Sequence, residues 1–206
     1  MIAKGRTNIR AEIDFGYSTY SQIIKEKEAI ICDDIQYMDK EIESITHDST
    51  IDFEEKSSLC EPYESTKLEM EDRYAVFNKL MYCAIYSFWE TSLCGILRYH
   101  SITPQDKPYK MLKQIKFPKN PDTKLLTSSI RLLRNSFIHG RLSQEQKEAI
   151  KPCIEKYGSF GLIEDYNSYY ITSMDFVLTI LDLTYKTLCE IDTFCLENLT
   201  PKNKIQ

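Results

Sequence analysis

Between residues 24 and 45, apolar side chains return at intervals of three, four or seven: Ile24, Ile31, Ile35, Met38, Ile42 and Ile45. In a helix of 3.6 residues per turn they fall on one stripe, and the threes and fours keep that stripe against a neighbouring helix along its length. The spacing predicts a long helix from about Ser18 to Ile45. Helical stability in water comes mainly from packing such a face, so the stripe commits the chain to a helical bundle.

The rest of the chain fits that architecture. Residues 46–66 are polar and contain Pro62, which predicts a connection, and a second long helix is expected over about Lys67 to Tyr99. That helix is apolar nearly all round in its middle and should be the centre of the bundle. Asn78, Lys79, Ser87 and Glu90 interrupt it, which reads as a buried helix rather than a membrane span. Pro104, Pro108, Pro118 and Pro121 mark another connection, with room for one short helix carrying Tyr109, Leu112 and Ile115 on a face. Asn120-Pro121-Asp122 supplies an N-cap, a proline at the first helical position and an acid in the first turn. The helix it opens has Leu126, Ile130, Leu133 and Phe137 as its core face, and Gly140 stands where a left-handed cap would end it. Ser143 and Gln146 fit a capping box for a short helix that Pro152 should cut off. Aromatic and β-branched residues around Asp165-Tyr-Asn167 predict a small β-hairpin. A last helix opens at Ser173 and runs to about Leu199, with Phe176, Ile180, Leu183, Leu188 and Ile191 in the core. The expected fold class is all-α: an up-down bundle with a β-hairpin before the last helix. One domain is expected over 1–206, its core at about 18–199, since 206 residues at 42% hydrophobic composition bury one sizeable core.

Charge is distributed unevenly. Residues 107–151 hold eleven Lys/Arg and three Asp/Glu, a net of +8, whereas the whole chain is −5, leaving −13 for the rest. One basic surface on an acidic body would attract a polyanion such as RNA, with Lys113, Lys116, Lys119, Arg131 and Arg141 as the contacting cations. The competing explanation is that these lysines only solvate a polar connection. The seven cysteines form no C-x-x-C pair and sit among apolar residues, and Met1-Ile-Ala-Lys-Gly-Arg6 lacks the apolar run of a signal peptide. Both point to a reduced, cytoplasmic protein. The three histidines are far apart, with no cysteine at ligand spacing, so no metal site is expected. A phosphate-cradling glycine loop and a serine elbow are missing too, and no cofactor is expected.

What remains is Arg134-Asn135-x-x-x-His139 on the helix of the basic third. The pattern resembles the HEPN superfamily, whose ribonuclease members carry Arg, commonly followed by a polar residue, and His after four to six intervening positions. The resemblance extends to the layout: a central helix with Tyr86-Ser-Phe-Trp-Glu90, the motif on a later helix, a hairpin and a closing helix. The HEPN subfamily paired with nucleotidyltransferases often has Tyr two places after the His; Arg141 stands here, which argues against that pairing. The resemblance implies a metal-independent endoribonuclease in which the substrate's 2′-hydroxyl is the nucleophile, working as a homodimer in a toxin or antiviral defence role. An antitoxin or defence-system partner is then implied, and no membrane.

The residue types suit that chemistry. A histidine exchanges protons near neutral pH, so His139 can act as general base or acid. Arg134 offers a permanent planar cation to the dianionic transition state, and Asn135 can orient the histidine or the phosphate. Five residues separate Arg134 and His139, which points them about 140° apart on a straight helix. A twofold axis would bring two of each to one cleft. Two blander roles stay open: His139 as a partner of the helix-end carbonyls and Arg134 as a surface residue. Glu90 either faces the cleft or is a solvated or paired carboxylate. A non-catalytic HEPN module binding RNA, a nucleotide or a partner protein is the alternative function.

Overall fold

A computed structural model describes residues 2–140, 142–165 and 168–199. Its elements are α1 (Ile2–His47), α2 (Phe53–Tyr99), α3 (Pro108–Gln114), α4 (Pro121–Leu125), a π turn (Leu126–Ile130), α5 (Arg131–His139), α6 (Gln144–Tyr157), a 3-10 turn (Gly158–Phe160), β1 (Leu162–Asp165), β2 (Ser168–Ile171) and α7 (Met174–Asn198). The fold is mostly helical, with one small antiparallel sheet in which Ile163 faces Tyr170 and Leu162 faces Ile171. The expected turn Asp165-Tyr-Asn167 lies largely outside the described residues.

α2 is the centre. Tyr82, Ile85, Trp89, Leu93, Ile96 and Leu97 are wholly buried along it, against α1, α7 and the motif helix. Each large apolar side chain so buried stabilises the fold by about 1.5–3 kcal/mol. α1 approaches closely because Gly16 lacks a side chain: a Cβ there would lie 2.4 Å from the Phe88 ring. On the other side of α2, Asn78 Nδ2 donates to the Ile171 carbonyl at 3.0 Å and fastens the hairpin. At its far end His100 Nε2 stands 4.0 Å from Asp192 Oδ1, a buried pair joining α2 to α7. The five positions expected in the core of α7 are all buried. α2 is also the one helix among the described residues long and apolar enough to cross a membrane by length and composition; much of that stretch is occupied by these core contacts.

Several boundaries differ from the sequence reading. The chain is already helical well before Ser18, and Ile9 and Ile13 are core residues. Residues 53–66 are helix, not connection. The stripe of α1 needs a partner along its length, and Lys56, Cys60, Tyr63 and Lys67 continue the seam of α2 at spacings of three and four, with aliphatic stems, rings and a thiol in place of branched aliphatics. Asp52 caps this start, accepting from Glu55 N, and Pro62 is tolerated at an exposed position inside the helix. Pro152 likewise sits exposed inside α6, which continues to Tyr157. In α3 Leu112 and Ile115 are buried but Tyr109 is half exposed.

Candidate functional site

The motif helix is built from its cap downward. Asn120 Oδ1 accepts from Thr123 N at 2.7 Å, and Pro121 occupies the first turn as expected. The Asp122 carboxylate meets Lys156 of α6 at 3.2 Å and Lys186 of α7 at 3.3 Å, so this end is tied to two other helices. One turn later the helix widens into the π turn, a geometry that frees backbone groups from the regular ladder. Side chains take them up: Tyr82 Oη donates to the Ile130 carbonyl at 2.9 Å, and Arg131 Nε donates to the Thr127 carbonyl at 3.2 Å. Nothing in the apolar pattern of 121–139 distinguishes this turn from ordinary α-helix, and the sequence reading missed it.

Beyond it, α5 carries Arg134, Asn135 and His139. The Arg134 guanidinium is half-buried; its Nη1 donates to Asn135 Oδ1 at 3.2 Å, while its buried Nε finds no acceptor among the described residues. Facing it on α2 are Cys83, Tyr86 and Glu90. Burial, then the Glu90 carboxylate, push the Tyr86 phenol well up, with Arg131 and Arg134 pulling the other way; the four groups thus form one electrostatic cluster between α2 and α5. Burial also raises the Cys83 thiol, with the Arg134 charge opposing. The Tyr86 hydroxyl is buried without a partner at hydrogen-bonding geometry. Sequence reasoning placed Glu90 near this site but took Tyr86 only as packing; two arginines three apart opposite Tyr-x-x-x-Glu was the available signal.

His139 is elsewhere. It is the last residue of α5 and exposed, and Gly140 after it has φ +79° and ψ −106°, a mirror-image extended conformation open to glycine and not the left-handed helical cap expected from sequence. Within one chain Arg134 and His139 therefore point apart, as their five-residue separation requires. Ile138 beside His139 is half exposed, and Phe137 packs edge-on against Tyr82 with ring centroids 5.4 Å apart. Lys79 Nζ lies 5.8 Å from the Phe137 ring and 4.8 Å from that of Tyr170.

The basic residues are spread over separate elements. Lys113, Lys116 and Lys119 are exposed on and after α3, which packs farther along α2 through Cys94 and Met111. Arg131 belongs to the cluster beside Arg134. Arg141 lies outside the described residues. A groove of about 580 Å³ lined by Arg10, Phe117, Tyr185, Cys189 and Phe194 opens against α7 and includes none of the motif residues.

The two buried phenols make opposite predictions. Tyr82→Phe leaves the Ile130 carbonyl unpaired and is expected to lower stability by about 1–3 kcal/mol. Tyr86→Phe removes a hydroxyl that has no partner, and is expected to leave stability unchanged or raise it by up to about 1 kcal/mol. Urea unfolding of both variants followed by circular dichroism checks the contrast.

Comparison with family models, with curated proteins and with solved structures finds no match to this chain.

Proposed function

We propose that the protein is a metal-independent endoribonuclease of the HEPN type, acting in the cytoplasm as a homodimer with a toxin or antiviral defence role. The observation that carries this reading is the placement of Arg134, Asn135 and His139: a guanidinium with an unused donor beside a second arginine, and an exposed histidine one and a half turns on. In the proposed reaction the 2′-hydroxyl oxygen of RNA bonds to the adjacent phosphorus while the bond to the 5′-oxygen breaks. One His139 takes the hydroxyl proton, and the partner's copy returns a proton to the leaving oxygen. Arg134 holds the charge of the five-coordinate phosphorus, helped by Asn135 and by Arg131. Glu90 supports the arginines from α2. A twofold axis near α5 supplies the second histidine, and the exposed Ile138 is available to that contact.

One observation favours a second reading, a HEPN module that binds RNA, a nucleotide or a partner protein without cleaving. Arg134 and His139 do not meet within a chain. RNA incubated with the protein in EDTA separates the two readings: cleavage supports the first, and binding without cleavage the second.

In either case RNA should engage the basic segment through its phosphates. Affinity is expected to fall steeply with salt, and reversing Lys113, Lys116 and Lys119 to Glu should weaken binding and flatten the dependence by about three contacts' worth of slope. Fluorescence anisotropy across a salt series measures both. An unchanged slope would show that these lysines only solvate the surface.

A further inference from the structure

α1 and α2 run past the body of the bundle as an antiparallel two-helix arm. Between residues 25 and 73 only Cys60 is fully buried. The arm is held by one seam. On α1 it takes Ile24, Glu28, Ile31, Ile35, Met38, Ile42 and Ile45, and on α2 Lys56, Cys60, Tyr63, Lys67, Met70, Tyr74 and Phe77. Polar contacts fix the register: Lys67 Nζ to Asp39 Oδ1 at 2.6 Å, and Lys56 Nζ to the Thr46 carbonyl at 2.8 Å.

The positions that flank this seam are unequal. In an antiparallel pair, residues one place before the seam on each helix line the same side of the arm. That side carries Ile23, Ile30 and Tyr37 of α1, seven residues apart, with Leu59, Val76 and Leu80 of α2. Ile30 and Tyr37 are each 53% exposed, and Val76 and Leu80 57% and 63%. On the opposite side, among the described residues, Leu68 is the one large exposed hydrophobic flanking the seam. A seven-residue apolar repeat beside a coiled-coil seam has the geometry that receives a third helix.

Charge identifies the occupant. Residues 25–73 hold sixteen Asp/Glu and six Lys/Arg, a net of −10. A second copy of the arm would bring −10 against −10, whereas a basic helix would be drawn to it. We infer that this flank of the arm is a docking surface for a basic amphipathic helix of another protein, which lays its apolar face on Ile23, Ile30, Tyr37, Val76 and Leu80. The inference is independent of the motif on α5 and stands whether or not the protein cleaves RNA.

The test uses the full chain and synthetic helical peptides of about four heptads, with leucine at the two seam positions and either lysine or glutamate elsewhere. The lysine peptide is expected to bind and the glutamate peptide not to. Ile30→Ser with Tyr37→Ser, which changes no charge, is expected to weaken the lysine peptide at least about tenfold, and Leu68→Ser to leave it unchanged. Replaced side chains on the surface keep the fold, which thermal unfolding by circular dichroism verifies. Failure of the lysine peptide to bind overturns the proposal. Equal binding by the two variants also overturns it, because the attraction is then charge alone. So does a dimer of the unmodified chain that dissociates in the Ile30→Ser, Tyr37→Ser variant, since a second copy then covers the flank.

Discussion

His139→Ala is expected to slow RNA cleavage in EDTA by about 10²–10⁴-fold, and by more where both copies of the histidine serve one site. The expectation follows from the roles proposed for the motif. An exposed imidazole at the end of α5 can exchange protons with solvent and substrate, and no other histidine lies on that helix. Because the attacking oxygen would belong to the RNA, products should end in a 2′,3′-cyclic phosphate and a 5′-hydroxyl, and DNA should be inert. Arg134→Lys should also be impaired, since an ammonium cannot reproduce the planar fork. A composite dimer site makes a further demand: mixing His139→Ala with Arg134→Ala chains should restore part of the activity. The measurement is a time course on labelled RNA, with dimer content followed by light scattering. Cleavage that needs Mg²⁺, or that survives His139→Ala at near the original rate, would sink the mechanism.

Trp89→Ala is expected to cost about 3–5 kcal/mol, a large share of the stability of a domain this size. Trp89 is wholly buried at the centre of α2, where α1 and α7 both pack, and no neighbour can collapse into the space without moving a helix. Trp89→Phe should cost far less than the change to alanine. The indole N–H finds no acceptor among the described residues, so the replacement gives up volume but no hydrogen bond. Denaturant unfolding by circular dichroism orders the three proteins, tryptophan fluorescence being unusable because the chain has one Trp.

The helical class, the caps at Asn120, Ser143 and Ser173, and the hairpin were legible because each rests on local chemistry within a few residues. The arm was half legible. Its α1 stripe is aliphatic and plain, but the answering seam on α2 uses Lys56, Tyr63 and Lys67, whose apolar parts do not register in a hydrophobic pattern. The two prolines misled for a related reason: Pro62 and Pro152 forfeit one backbone bond each, and helices held by tertiary seams tolerate that loss. At the site, the motif residues and Glu90 could be named from spacing, whereas the meeting of Tyr86 with Arg131 and Arg134 depends on how α2 and α5 cross. The divergence of Arg134 and His139 was calculable from helix geometry alone.

The wide turn at 126–130 also sets how this segment can change over time. Removing a single residue there would let the chain close into ordinary helix, drawing everything after it back by about 1.5 Å and turning it by about 100°. Tyr82 would lose the Ile130 carbonyl, and both arginines would swing away from Tyr86 and Glu90. Substitutions along the turn are therefore cheap where the side chain faces solvent, while a one-residue deletion dismantles the cluster without altering any residue in it.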